Sequence, residues 1–328
     1  MRALVVREYG PYRSHRLEDL PDPEPGPGEV VIETRAMAVN FPDVLLVEGK
    51  YQHRPDPPVI PGFDCAGIVG AVGSDVTRVT PGQRVFAYAP DGAFAERALV
   101  PEKHVYPIPD GKSFEEAAAF GLVYLTAHTS MIENARCQPG ETILVTGATG
   151  GVGLAMLQYG KALGMRMIAG VTSPAKGELA LANGAEAIVD LAADDLRNTL
   201  RDQVRAQTDG RGVDVVMDVV GGDVFDASLR ALAYGGRIAI VGFAGGRIPE
   251  IKANYLLIRK LTAIGSPLGT YSGADLSARD KDMATVTKLW AKGALRPHVS
   301  EVLKLDDWQT AFARFKNRQV TGKIVMVP

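Results

Sequence analysis

Cysteine is nearly missing from this chain: Cys65 and Cys137 are the only two among 328 residues, and they stand far apart. That excludes a disulfide framework and makes the cytoplasm the default expectation. A charge excess is missing too. The 36 Lys and Arg against 38 Asp and Glu leave a net charge of −2 with no basic run, so nucleic acid is not expected as the main ligand. No apolar stretch is long enough to cross a bilayer, so no membrane is expected either. The first residues, from Met1 to Glu8, meet a charge too soon for a signal peptide and read as a first strand. The five histidines (His15, His53, His104, His128, His298) are scattered, without metal-ligand spacing. Internal repeats and low-complexity segments are absent.

What is present reads as two domains, as the length requires. Up to about Asp110 the chain is rich in Pro and Gly. It carries short strand-like runs at 30–34, 66–72 and 84–88, separated by Pro27-Gly28, Pro61-Gly62 and Pro81-Gly82. This predicts a mostly antiparallel β domain. The texture changes at Ser113, which with Glu116 makes a capping-box signature. Helical segments follow, and then strands and helices alternate: strands at 142–146, 166–171, 187–189, 213–218, 237–241 and 261–265, with helices between them. That alternation predicts a doubly wound parallel sheet, so the fold class is α/β. A helix over 278–292, a strand at 302–305, a helix over 307–315 and a strand at 323–327 make a tail expected to rejoin the first domain.

The centre of the chain is Thr142-Ile143-Leu144-Val145-Thr146, then Gly147-Ala148-Thr149-Gly150-Gly151-Val152-Gly153, then a helical run to Leu163. Strand, glycine-rich turn and helix are the context of a dinucleotide-binding fingerprint. Glycines let a pyrophosphate approach the backbone, and the helix N-terminus offers unpaired N–H groups and a positive dipole end. Ala148, Thr149, Gly150, Gly151 and Val152 are the candidate contacts, with Ala148 in place of the first glycine of the G-x-G-x-x-G register. The alternative is a tight connection without a ligand. The strand after the turn helix ends Ala169-Gly170-Val171-Thr172-Ser173, without the acid that NAD-specific folds place there, and Lys176 follows. Hydroxyls plus a cation suit the 2′-phosphate of NADPH. Ser173 also suits a helix N-cap, and Lys176 a solvated helix position.

Together with Val39-Asn40-Phe41-Pro42-Asp43, Pro61-Gly62-Phe63-Asp64-Cys65-Ala66-Gly67, Gly210-Arg211-Gly212-Val213-Asp214-Val215-Val216 and Gly322-Lys323-Ile324-Val325, this turn resembles the medium-chain dehydrogenase/reductase superfamily, and within it the zinc-free quinone oxidoreductase (zeta-crystallin-like) group. The resemblance spans essentially the whole chain. It implies a GroES-like substrate domain, 1–120 plus 266–328, with a Rossmann domain inserted at 121–265 and the active site in the cleft. A zinc enzyme of the superfamily needs a cysteine where Asn40 stands and a His–Glu pair where Phe63 and Asp64 stand, so no metal is expected. Without a Lewis acid to stabilise an alkoxide, reduction of a conjugated carbonyl is favoured over alcohol oxidation.

The resemblance also implies roles for single residues. Asn40 would contact the cofactor ribose or the substrate oxygen, and Thr126 would lie near the carboxamide. Gly242, Phe243 and Ala244, just past a strand end, would flank the nicotinamide. Arg318 would reach the 2′-phosphate, and Lys323 and Asp43 would border the cleft, Asp43 serving equally well as a helix cap. Leu191 stands where related reductases often have a phosphate-binding tyrosine. Cys65 is expected to be a buried packing residue. Tyr51 falls where enoyl-thioester reductases carry a proton donor; lining the cleft is its other reading. A homodimer through the edge of the Rossmann sheet is implied. The expected activity is thus NADPH-dependent reduction of a small conjugated carbonyl such as a quinone. The alternatives are an enoyl-thioester reductase or a nucleotide-binding structural or RNA-binding protein with little catalysis. A Rossmann methyltransferase is disfavoured, because it would need an acid after the second strand.

Overall fold

Short β-branched runs punctuated by Pro-Gly turns fold early in the chain into antiparallel sheet. The computed structural model describes residues 1–268 and 276–328, so 269–275, expected in the first domain, lie outside the described residues. Strands β1 (Arg2–Val5) and β2 (Arg16–Asp19) pair with each other. Then come β3 (Glu29–Val39), α1 (Phe41–Val47), β4 (Asp64–Val72), β5 (Arg84–Tyr88), β6 (Arg97–Pro101), β7 (Val105–Pro107) and α2 (Phe114–Ala118). Ser113 and Glu116 form the expected capping box: the Ser113 hydroxyl accepts from the Glu116 N–H (3.1 Å) and the Glu116 carboxylate from the Ser113 N–H (3.2 Å).

After α3 (Gly121–His128) the helix continues as a π-helical segment, Thr129–Asn134. Then β8 (Thr142–Val145), α4 (Gly151–Ala162), β9 (Arg166–Val171), α5 (Pro174–Ala182), β10 (Ala187–Asp190), α6 (Leu196–Gln207), β11 (Val213–Asp218), α7 (Gly222–Ala231), β12 (Leu232–Ile240), α8 (Ala253–Arg259) and β13 (Thr262–Gly265) alternate. The six strands form one all-parallel sheet in the order β10-β9-β8-β11-β12-β13. Such a sheet is covered on both faces, which explains why Ile143, Leu144, Val145, Val215, Val216 and Met217 are all 0 % exposed. Each such side chain contributes about 1.5–3 kcal/mol on burial.

The chain ends with α9 (Leu276–Ala291), β14 (Val299–Lys304), α10 (Trp308–Lys316) and β15 (Lys323–Val327). As expected, β14 and β15 join the early strands, in a sheet ordered β14-β15-β3-β4-β5-β7 with β6 also on β3. Two compact units result: Met1–Leu122 with Pro297–Pro328, and residues 123–268 with Ala278–Arg296. From Ala278 on, α9 thus clusters with the parallel sheet rather than with the tail. Asp282 of α9 faces the His128 ring (3.2 Å), and the turn after α9 is held by Gln158, which accepts from the Arg296 N–H (2.7 Å) and donates to its carbonyl (2.9 Å). No helix among the described residues is long and apolar enough to cross a membrane.

The first unit has a buried polar knot. Lys323 opens β15 opposite the end of β3, where Ile324 pairs with Val39. Its ammonium, on a residue 3 % exposed, donates to Asn40 Oδ1 and lies 3.4 Å from Asp64 Oδ2. Asn40 Nδ2 donates to Asp64 Oδ2 (2.9 Å), and Asp64 Oδ1 accepts the Leu122 N–H (3.0 Å). Asp43, also fully buried, accepts the Asn40 N–H on Oδ2 (2.6 Å), while its Oδ1 has no hydrogen-bond partner among the described residues. This is the helix-cap role, at the start of α1. Burial pushes the Asp43 carboxyl up to about 8, against the opposing pull of the Asn40 N–H and Lys323. Burial also raises Asp64 and lowers Lys323. One ammonium neutralises one carboxylate, so the knot is least costly with Asp64 ionised beside Lys323 and Asp43 protonated.

This sets a pH dependence. A carboxyl raised from 3.8 to about 8 on folding stabilises the fold fully below the lower value and loses that contribution as pH rises through the upper one. Asp43→Asn keeps an acceptor for the Asn40 N–H and has nothing to titrate. The variant should lose less stability than the parent between about pH 6 and pH 9, and at the upper end should be the more stable by about 1 kcal/mol or more. Urea unfolding across this range checks it; parallel pH profiles would refute it.

Candidate functional site

The chemistry-bearing turns of the second unit lie at the carboxyl ends of its strands. After β8 the Thr146 N–H donates to the Met217 carbonyl (3.0 Å) and its hydroxyl to Asp218 Oδ1 (2.6 Å). Gly147 then takes φ +59°, and a Cβ there would lie 2.8 Å from the Val219 side chain. A Cβ on Gly153 would lie 2.4 Å from the Gly147 carbonyl oxygen, so the helix can pack onto the turn only with glycine there. The left-handed residue is Gly147, not Ala148, which is why alanine is tolerated where the fingerprint has its first glycine. Ala148 donates to the Gly170 carbonyl (3.3 Å), closing the turn onto β9. Gly150 is the N-cap of α4, and Ala148 and Thr149 are buried beside it. The first-turn N–H groups of Gly151, Val152 and Gly153 have no earlier helical carbonyl to bond. They form an anion cradle.

At the end of β9, Ser173 caps α5, its hydroxyl accepting the Lys176 N–H (3.4 Å). The Lys176 ammonium donates to Thr172 Oγ1 (3.2 Å). Among the described residues no carboxylate pairs with it, and both hydroxyl residues are exposed. The structure therefore gathers Thr172, Ser173 and Lys176 into one exposed cationic corner. Leu191 instead packs over Gly170, where a Cβ would meet it at 2.8 Å, and lies in the core.

The loop after β12 runs beside the loop after β11. Gly242 donates to the Asp218 carbonyl (3.3 Å) and Ala244 to that of Val219 (3.1 Å), with Phe243 between. Since Val219 and Val220 also abut Gly147, the turns after β8, β11 and β12 are neighbours, at the point where strand order reverses. In open α/β sheets this is where ligands bind. Asp218 organises the junction and was not singled out from the sequence. It is 0 % exposed, and its carboxylate accepts from the Thr146 hydroxyl and the N–H groups of Val220 (3.3 Å) and Gly221 (3.0 Å). Burial raises its pKa. The available signal was an Asp closing an apolar strand just before Val219-Val220-Gly221-Gly222. Thr126 is buried on α3.

The candidates of the first unit do not form one group. Asn40 and Lys323 belong to the polar knot, where both heteroatoms of the amide and the ammonium have protein partners. Tyr51 is partly exposed and meets Phe63 edge-on at 5.6 Å. Arg318 follows α10 with φ +56°. Cys65 is buried, and burial, then Asp64, pushes its thiol up to about 12, which makes it a packing residue. At the positions a zinc ion would need, the chain offers an amide, a phenyl ring and a carboxylate already facing an ammonium; that donor set does not fit zinc. Elsewhere His128, Glu133 and Asp282 bring ligand atoms within 4.8 Å of one another. The π-helical segment accounts for part of this, since it stacks positions five apart, and sequence spacing hides it. The imidazole there is already held by Tyr159 (2.6 Å) and Asp282 (3.2 Å).

Comparison with known proteins gives a consistent picture. Residues 26–110 match the family model described as alcohol dehydrogenase GroES-like domain, and residues 151–287 the one described as zinc-binding dehydrogenase. Mouse quinone oxidoreductase-like protein 2 is 37% identical over 302 residues, covering 92% of this chain and 85% of the mouse protein. The quinone oxidoreductase of Pseudomonas aeruginosa is 34% identical over 330 residues, covering 100% and 99%. The quinone oxidoreductase of Thermus thermophilus, whose structure was solved alone and with NADPH, superposes with a TM-score of 0.85 at 34% identity, with both chains covered fully (100%). With the parallel sheet, the glycine turn and the non-zinc donor set in place, the chain belongs to the zinc-free quinone oxidoreductase group of the medium-chain dehydrogenase/reductase superfamily.

Proposed function

We propose that this protein is an NADPH-dependent reductase of quinones or other small conjugated carbonyls, working without zinc. The observation that carries the reading is the corner where Lys176 reaches Thr172 beside Ser173, next to the glycine turn and with no acid at the end of β9. It complements a phosphate on the ribose where an acid would repel it. The N–H groups of Gly151, Val152 and Gly153 would hold the pyrophosphate. Gly242, Phe243, Ala244 and Thr126 would flank the nicotinamide. Bound there, NADPH supplies the hydride. The chain's own residues orient the acceptor and exclude water, and a conjugated acceptor spreads the arriving charge over itself. Asn40 has its hydrogen bonds filled within the knot, so we assign it, with Asp64 and Lys323, to positioning the floor of the first unit.

Three measurements test this. Lys176→Glu should weaken NADPH by roughly tenfold or more while leaving NADH within about twofold; equal losses would remove the phosphate assignment. Tyr51, partly exposed, is the phenol read as a proton donor. If it donates a proton, Tyr51→Phe should lower kcat by about 10²–10⁴-fold on an enone or enoyl thioester and barely change a quinone, whose reduced form water can protonate. Unchanged turnover on every conjugated carbonyl would leave it a wall of the pocket. A panel of quinones, enones and enoyl thioesters, followed by NADPH consumption, separates the acceptor classes, and no turnover on any of them would sink the reductase reading.

A separate expectation concerns assembly. Among the described residues strand β13 pairs only with β12 and ends the sheet, and nearby Leu257 and Ile258 of α8 are 83% and 72% exposed. An open edge with adjoining apolar side chains suits two-fold extension of the sheet into a homodimer. Sedimentation at about micromolar concentration should show a dimer that Leu257→Asp with Ile258→Asp dissociates; a monomeric parent would exclude it.

A further inference from the structure

The second unit holds a groove of about 440 Å³ lined by Arg197, Arg201, Arg205, Arg230, Tyr255 and Arg259. None of these residues belongs to the glycine turn, to β9 or to the Lys176 corner. The first three stand at i, i+4 and i+8 on α6 and so share one face of it. Arg230 comes from the last turn of α7, and Tyr255 and Arg259 from α8.

Three of the guanidiniums are held in place by the protein. Arg197 Nη2 donates to the Tyr255 hydroxyl (2.7 Å). Arg259 donates to the carbonyls of Arg230 (3.1 Å) and Leu232 (2.5 Å). Arg201 Nε pairs with Asp202 (2.8 Å), itself 61% exposed. The guanidiniums of Arg205 and Arg230 have no hydrogen bond or ion pair among the described residues. Burial, then the nearness of Arg205 and Arg230, holds the Arg259 pKa below its usual value. Five like charges thus converge on a groove where, among the described residues, Asp202 pairs with Arg201 and also draws on Arg205 and Arg230, and Asp195 lies near Arg201, so the cations outnumber the acids, in a chain whose net charge is −2. Such a cluster repels itself and is relieved by an anion.

We propose that this groove binds a ligand with two or more linked phosphate groups, at a site separate from that of the dinucleotide. Arg197 and Arg205 are about 12 Å apart along the helix, a longer reach than one phosphate can bridge. Guanidinium forks match phosphate oxygens two at a time, so the set suits a phosphoanhydride chain. A nucleoside triphosphate and a free polyphosphate share that chemistry.

Calorimetric titration of the full chain, with and without saturating NADPH, separates this site from the cofactor's. The probes are tripolyphosphate, ATP, AMP and orthophosphate. Tripolyphosphate and ATP should bind whether or not NADPH is present, at least about tenfold more tightly than AMP or orthophosphate. Tighter binding of ATP identifies a nucleotide ligand, and equal binding a free polyphosphate. The double variant Arg205→Ala with Arg230→Ala, which removes only the two unpartnered guanidiniums, should weaken both by about tenfold or more while leaving NADPH affinity and turnover unchanged. The proposal is overturned by no binding up to about 1 mM, by equal affinity in the double variant, by competition with NADPH, or by binding of a single-stranded RNA oligomer but of neither small polyphosphate.

Discussion

A single buried ammonium sets the terms for the first unit. Lys323 lies where β15, the end of β3 and the start of β4 meet, and it binds both Asn40 and Asp64. Removing one partner of such a buried pair typically costs roughly 3–5 kcal/mol, because the other charge is left unpaired. The contact therefore ties the last strand of the chain to segments far earlier in the sequence, and specifies how they meet more than it adds net stability. It also explains why this corner takes no metal: the carboxylate a zinc ion would need already faces a positive charge. The Asp43 carboxyl, next to it, has no cation of its own among the described residues, and burial pushes it up to about 8.

The second unit uses one buried acid in a comparable way. Among the described residues Asp218 pairs with no cation; it is held by one hydroxyl and two N–H groups, all from neighbouring turns. It joins the end of β8 to the loop after β11, and through Val219 and Val220 to the loop after β12. The turn that leads into α4 rests on that arrangement, because Val219 and Val220 pack against Gly147. Both units thus carry a buried carboxylate that joins segments far apart in the sequence.

The parallel sheet was legible because its strands are short, mostly apolar runs that alternate with helices; β9 and β11 begin and end at the expected residues, whereas β12 starts five residues earlier than expected. Helix α1 was not expected as a helix: Pro42 and a length of seven residues leave too little periodicity to read. Helix α8 packs Leu256 on the core but leaves Leu257 and Ile258 exposed, so its seven residues too lack the amphipathic pattern that marks a packed helix. The glycine turn and the Ser173 cap were legible because backbone chemistry restricts such positions to small residues and caps. Those inferred from resemblance were not equally served. Lys323 and Asn40 turned out to hold each other, a pairing across the length of the chain that no local pattern encodes.

The amino-acid sequence by itself determined the alternation of strand and helix, the glycine turn, the lack of an acid after β9 and the absence of zinc ligands at the expected positions. Each is a property of neighbouring residues, where spacing and side-chain type suffice. Only the tertiary structure decided which charges meet: Lys323 with Asp64, Asp218 with three turns, and five arginines of three helices around one groove. Pairings of that kind depend on strand register and helix packing. These bring together residues far apart in the chain, and burial then decides which of them stay charged.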